Sequence, residues 1–474
     1  MAKKLIIFCL FILGISNLTF SQTKADIVKE IDQNYDKYGN LAHQIWEYAE
    51  VGYQEYKSSL ALQDLLKANG FKVEAGVAEI PTAFIATYGT SSPVIGILGE
   101  FDALPGLSQD ASPSKSSLGG IAGHGCGHHL FGVASAAAAI SLKNWLQKSG
   151  QNGTIKFYGT PAEEGGAGKV YMTRAGLFNT VDVVLHWHPS DANKSDAATS
   201  LANKTGKFRF HGLSAHAAGS PERGRSALDG IEAMTHMVNM MREHVPEDAR
   251  MHYIITDGGK APNVVPDFAE LYLYVRHPNR TIVKEMWDRI ENVAKGAAMG
   301  TGTTVDWEII GGVYELLPNQ SLADLMNENM QALGGYELSP NEIKFALEIQ
   351  PTEGMKIKDL ASTKIIEDVK STINGGSTDV ADISWAVPTM GCRTATWVPG
   401  TPSHSWQAVA AGGTSIGTKG MILAAKTIAT TAYDLFNSPA EIQKAKAEFE
   451  ERRGFDFKYE PMLGDRKPAL DYRN

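Results

Sequence analysis

Residues Gly123, His124, Gly125, Cys126, Gly127, His128, His129 and Leu130 stand in a row, placing three histidines and a thiol among glycines. An Ala-rich segment follows at once, and residues 133–146 read as a buried helix. Glycine lets a short loop bend sharply, so side chains can converge on one point. A thiolate and neutral imidazoles are the usual ligands of zinc and similar divalent ions. The plainer alternative is a Gly-rich turn around a buried Cys. A cluster this dense in His and Cys favours metal binding over packing alone. One loop cannot complete a reactive site, so further ligands and a base must come from elsewhere in the chain.

The chain has 474 residues, 43% hydrophobic and 20% charged, which is ordinary for a globular protein and long enough for two or three domains. Its formal charge of -9 argues against nucleic acid or an anionic membrane surface as the main partner. Lys3 and Lys4 followed by the apolar run 5–15 read as a secretory signal, with Thr19 and Ser21 at the small-residue positions before a cut ahead of Gln22. Residues 1–21 are therefore expected to be removed and the protein to be exported, to a periplasmic or extracellular location. No other apolar run reaches ~18 residues, so no membrane span is expected in the mature chain. Cys9 leaves with the signal. Cys126 and Cys392 remain, and a Cys126 that binds metal could not share a disulfide.

Residues 24–70 carry apolar positions at helical spacing, among them Ile27, Ile31, Tyr35, Leu41, Ile45 and Tyr48. Strands are predicted over 71–77, 83–88 and 94–100, separated by turn residues. The last is an apolar run ending in Glu100, Phe101 and Asp102, and open α/β sheets place their sites at such carboxyl ends. A strand over 154–159 runs into Ala162, Glu163 and Glu164. Two adjacent carboxylates at a strand end are a second chemical signal, although alone they read equally as the acidic first turn of a helix. A strand over 181–185 leads into His186, Trp187 and His188, and alternation sends both histidines to one side. His404 falls in a turn over 401–406. Strand-like positions run over 383–392, and the last good helix over 419–436. The charged tail after Pro439 is expected to pack loosely or to cover a surface.

Between these, strand 207–211, helix 227–243, strands 251–257 and 270–276, helix 281–299 and strand 304–310 give the β-α-β-β-α-β order of a ferredoxin-like unit. The expected organisation is a catalytic domain built from 22–202 and 314–474, with an inserted domain at 203–313.

Together these motifs resemble the M20 family of metallopeptidases, and within it the aminoacylase and amidohydrolase branch. They fall in order at 123–128, 161–166, 187–189 and 404–407, and the likeness covers essentially the whole mature chain. The resemblance implies an α/β fold: a zinc-peptidase-like catalytic domain with a central mixed sheet flanked by helices, plus an inserted ferredoxin-like lid through which a homodimer forms. Cys126 and His128 resemble the first ligand pair, the thiolate bridging two metals. Glu164 and His188 resemble the next ligands, one for each metal, and His404 the last. Glu163 resembles the catalytic base, and Asp102 a carboxylate behind the ligands. Glu100 stands where related peptidases carry a His ligand, so that ligand role is not carried over to it. His129 is read as a neighbour, and His124 and His186 are unassigned. In the lid, His216 resembles an oxyanion donor, often supplied across a dimer. Asn263 and Arg276 resemble substrate-holding residues, and a guanidinium suits bidentate carboxylate binding. Asp379 resembles a helix-start acid, as readily a cap as a catalytic group.

The implied cofactors are two divalent ions, Zn, Mn or Co. The implied reaction is hydrolysis of an amide bond to an amino acid in a small molecule: an N-acyl amino acid, aminobenzoyl-glutamate or a dipeptide. The alternatives are an exported dipeptidase or carboxypeptidase of the same fold, or a binding protein that keeps the metal without catalysis. The intact Glu163 argues against the last. A purely structural zinc site is a closed Cys/His tetrahedron and does not suit this carboxylate-rich set.

Overall fold

The computed structural model describes residues 23–195, 197–373 and 375–473, and the signal read at 1–21 lies outside them. Its strands in chain order are β1 Lys72–Ala75, β2 Phe84–Tyr88, β3 Val94–Gly99, β4 Leu104–Pro105, β5 Ala122–Gly123, β6 Thr154–Gly159, β7 Val183–Ser190, β8 Ala202–His211, β9 Arg250–Asp257, β10 Phe268–His277, β11 Thr304–Val313 and β12 Thr389–Ala395. Six of them form one mixed sheet in the order β1-β2-β6-β3-β7-β12. β1, β2 and β6 pair antiparallel, whereas β6, β3, β7 and β12 run parallel. Parallel neighbours need crossover connections and cover on both faces, so their strands read as continuous apolar runs. β3 fits that pattern, with Ile95, Ile97 and Leu98 fully buried. The helix His128–Ser149 lies against β3, β6 and β7 and against the helix Ser415–Asn437. Its Ala134, Ala136, Ala137, Ala138 and Ala139 have no exposed surface, because small side chains let it sit close between the sheet and its neighbours. No described helix is long and apolar enough to cross a membrane.

β8 to β11 form a second, wholly antiparallel sheet in the order β11-β8-β10-β9. Helices Ala227–Met241 and Arg280–Thr301 pack on it over Phe208, Phe210, Ile231, Leu271, Leu273 and Trp287. The α/β fold class read from the motifs is the observed one, with helices flanking a central mixed sheet.

Three local readings change. The strand expected over 181–185 continues to Ser190, so His186 and His188 are strand residues. Ile383 belongs to the short helix Val380–Ser384, and the strand begins only at Thr389. Of the two expectations for the tail, loose packing gives way to cover: Pro439–Arg453 is a helix that buries Ile442, Ala445 and Phe449 against its neighbours. Its other faces are so charged that this apolar stripe is faint. The helix Pro340–Ile349 also escaped notice, although Ser339 and Glu342 form its capping box.

Candidate metal centre

The site gathers at the carboxyl ends of the parallel strands. Glu100 and Asp102 follow β3, Glu163 and Glu164 follow β6, and His186 and His188 lie in β7. Cys126 sits in the turn before the helix His128–Ser149, whose N-cap is Gly127 at φ 77. A Cβ added at Gly127 would stand 2.7 Å from the Pro189 side chain, so a glycine here lets the Cys126–His128 turn close on β7. His404 arrives from the other end of the chain, its N–H donating to the Gly125 carbonyl at 2.9 Å. It is held at φ 57, a left-handed conformation that costs a non-glycine residue about 1–3 kcal/mol and is typical of functional sites.

Cys126, His128 and His188 bring one ligand atom each to within 4.8 Å of one another, and so do Cys126, Glu164 and His404. Cys126 belongs to both sets. Its Sγ lies 3.4 Å from His188 Nε2, and Glu164 Oε1 lies 3.2 Å from His404 Nε2. His188 Nδ1–H donates to the Pro189 carbonyl at 2.7 Å, which leaves the Nε2 lone pair aimed into the site. His128 Nδ1–H donates to Asp102 at 2.8 Å, and its Nε2 faces inward likewise. A carboxylate or carbonyl behind the imidazole is how metal-binding histidines are oriented. His128 Nε2 and Glu164 Oε1 are buried without a hydrogen-bond partner. Each such orphan costs about 1–3 kcal/mol, which a bound cation would offset. The residues therefore fit a metal centre of thiolate, imidazole and carboxylate ligands.

Glu100 is part of the same assembly. Its Oε2 lies 3.0 Å from His128 Nε2, too poorly aligned for a hydrogen bond, and its Oε1 lies 2.7 Å from the Lys169 ammonium. Lys169 is fully buried and also donates to Asp379 at 2.8 Å. Asp379 does act as a cap, but for a different helix from the one it begins: its second oxygen accepts from the Lys169 backbone N–H at 2.9 Å, in the first turn of Gly168–Arg174. Burial holds the Glu163 carboxyl well above the usual carboxylate range, and the nearby Glu164, Glu100 and Asp379 add to that. Burial likewise lowers His188 well below the ordinary imidazole range, keeping it neutral as a ligand must be. Cys126 and Cys392 are both buried free thiols.

Glu100, Cys126, Glu163, Glu164, His188 and His404 line a cleft of about 590 Å³ that also takes in Asn203 and Arg276 from the second sheet and Ser377 to Asp379. Arg276 Nη1 donates to Ser377 at 3.2 Å. His216 and Asn263 do not line this cleft. They sit together on exposed loops, where Ala217 N–H donates to the Asn263 carbonyl and His216 pairs with Val264 through its backbone. His216 Nδ1 accepts from the backbone of Ala218 and Gly219, which turns Nε2–H outward as a donor. His124 and His129 are buried side by side, their Nε2–H groups donating to the carbonyls of Ile45 and Gly412. Lys169 went unnoticed in the sequence, because one lysine beside Val170, Tyr171 and Met172 looks like any surface lysine.

The model of Peptidase family M20/M25/M40 matches residues 96–408. The chain belongs to this family. It is a metal-dependent hydrolase. It is 40% identical over 449 residues to a subunit of the p-aminobenzoyl-glutamate hydrolase of Escherichia coli K12, covering 89% of this chain and 93% of that one. A Xaa-Arg dipeptidase of Mus musculus is 29% identical over 441 residues, covering 90% and 92%. Among solved structures, an aminobenzoyl-glutamate utilization protein from Klebsiella pneumoniae superposes with a TM-score of 0.61 at 18% identity, over 87% of this chain and 98% of that one. A Bacillus subtilis protein described as a dinuclear metal binding peptidase of the M20 family gives 0.58 at 17%, over 85% and 99%. At such identities the two structures speak for the fold alone.

Proposed function

We propose that this M20 hydrolase cleaves the amide bond between an acyl group and an amino acid, with p-aminobenzoyl-glutamate as the leading candidate substrate. The observation that carries the reading is the pair of ligand sets meeting at Cys126, with Glu163 beside them. Cys126, His128 and His188 would hold one divalent ion, and Cys126, Glu164 and His404 the other; Zn, Mn and Co all suit these donors. Such a pair, when bound, lowers the pKa of water and polarises an amide carbonyl. The protein's own residues do the rest. Glu163 takes a proton from the attacking water and passes it to the leaving nitrogen, so water and amide become a carboxylic acid and an amine. Asp102 keeps His128 oriented. Arg276 pairs with the substrate carboxylate from the lid side of the cleft. His216 and Asn263 act as oxyanion donor and substrate holder from the lid of a second copy in a homodimer, which accords with their absence from the cleft of their own chain. The 203–313 insert is that lid, and the signal read at 1–21 directs export.

The test is hydrolysis by the purified mature chain, loaded in turn with Mn, Zn and Co, against p-aminobenzoyl-glutamate, N-acyl amino acids and dipeptides. The expected result is metal-dependent release of p-aminobenzoate. A metal-loaded protein that cleaves nothing in the panel would support the non-catalytic alternative.

A further inference from the structure

The turn that carries Glu163 and Glu164 is gripped from several directions. Ala162, just before it, is held at φ 57, and its N–H donates to the buried Glu55 at 2.8 Å. The Glu164 N–H donates to Asp102 at 2.9 Å. The Glu164 carbonyl accepts two further bonds, from Tyr472 OH at 2.9 Å and from Arg473 Nη2 at 2.6 Å. Those donors come from a segment about 300 residues further along, and the segment is itself tied down. Arg174 Nη1 donates to the carbonyls of Gly464 and Arg466 at 2.8 and 2.9 Å, and Gln54 Nε2 donates to Leu470 at 2.8 Å. The Tyr472 ring meets Tyr53 edge-on, with centroids 5.5 Å apart, and the Arg473 guanidinium lies 4.8 Å from the Tyr472 ring centroid. The hydroxyl reaches the turn only because residue 52 is glycine: a Cβ there would stand 2.2 Å from it.

We propose that Tyr472 and Arg473 are positioning residues for the Glu163–Glu164 pair, resting on the reading of Glu164 as a ligand and Glu163 as the base. Two adjacent carboxylates can take different tasks only if the backbone around them holds one orientation. Asp102 pins the Glu164 N–H on one side, and the same Asp102 orients His128. Tyr472 and Arg473 pin the Glu164 carbonyl on the other, one of the two bonds being charge-assisted. With both ends fixed, Glu164 is kept toward His404 and Glu163 toward the cleft. Neither Tyr472 nor Arg473 lines the cleft, so their influence runs through the Glu164 backbone. A displacement of ~1 Å at such a group costs about 10²-fold in rate.

The experiment uses the mature full-length chain as wild type, Tyr472→Phe, Arg473→Ala, the double variant and Arg473→Lys. Metal-stripped protein is titrated with Mn²⁺ by calorimetry, and kcat and KM are measured for p-aminobenzoyl-glutamate well below each melting temperature. The double variant is expected to bind one of two Mn²⁺ ions about 10- to 100-fold more weakly while the other is unchanged, the usual scale for losing an outer-shell partner. Its kcat should fall by a similar factor with KM within about threefold, and Arg473→Lys, which keeps charge and a donor, should lose less than Arg473→Ala. If the double variant does not fold, Tyr472→Phe, which removes a single oxygen, carries the same expectation at smaller size. A double variant with wild-type Mn²⁺ affinities and wild-type kcat overturns the positioning role. A wild type that binds no Mn²⁺ and cleaves nothing overturns the metal-site reading on which it rests, a distinguishable failure.

Discussion

The candidate ligand cluster and the exposed loops that carry His216 and Asn263 differ in what supports them. Cys126, His128, Glu164, His188 and His404 sit on β7, on the first residue of the helix His128–Ser149 and on turns beside one buried sheet, and within each set their ligand atoms converge to within 4.8 Å. His216 and Asn263 ride on exposed loops beside the second sheet and stay outside the cleft, whereas Arg276, on β10 of that same sheet, reaches it. Strand-borne groups inherit their place from backbone pairing. Loop-borne groups depend on where a lid or a partner copy settles. Chemistry that must be ready before substrate arrives belongs on the first kind of support, and groups that close over substrate belong on the second.

The largest effect should come from the braced region. Glu163→Ala is expected to lower kcat by about 10²–10⁴-fold while metal content, measured by elemental analysis, stays at the wild-type level. Near-normal turnover would remove Glu163 from the reaction. Chelator treatment should abolish hydrolysis, and added Mn or Zn should restore it.

The proposed lid contribution can be broken separately. His216→Ala and Glu163→Ala homodimers should both be nearly inactive, but mixing and re-associating the two should regain activity. In the mixed dimer, one cleft keeps its own Glu163 and receives His216 from the other copy. No recovery on mixing would place His216 in its own chain's reaction or outside catalysis. Arg276→Lys keeps the charge but loses the bidentate fork, and should raise KM by about tenfold with a smaller change in kcat.

The smallest expected effect lies behind the site. Burial pushes Asp382, which accepts from Tyr459 OH and the Tyr314 N–H, up to about 7. A carboxyl whose folded pKa exceeds its unfolded one favours folding only while protonated. That contribution is complete below the ordinary value of 3.8 and is lost as pH rises through about 7. Asp382→Asn should therefore flatten the pH dependence of the melting temperature across that window. An unchanged slope in scanning calorimetry would show that Asp382 does not titrate there.

The same contrast explains what could be read in advance. The candidate ligands were legible because Cys, His and Glu among glycines have few structural reasons to cluster, and β3 is an apolar run that leads straight into Glu100. Glu100 was harder to judge, because its task depends on Lys169, and nothing in a lone lysine shows that it is buried. Tyr472 and Arg473 left no trace at all: their partner is a carbonyl about 300 residues away, and every residue has a carbonyl. The helix Pro439–Arg453 hid because only Ile442, Ala445 and Phe449 mark its inner face.

The proposed chemistry requires Cys126 to be common to two ion sites. Crystals soaked in Mn²⁺ and measured for anomalous scattering test this directly. Two peaks are expected, one against His128 and His188 and one against Glu164 and His404, with the Cys126 sulfur between them. A single peak, or peaks that leave Cys126 untouched, would contradict it.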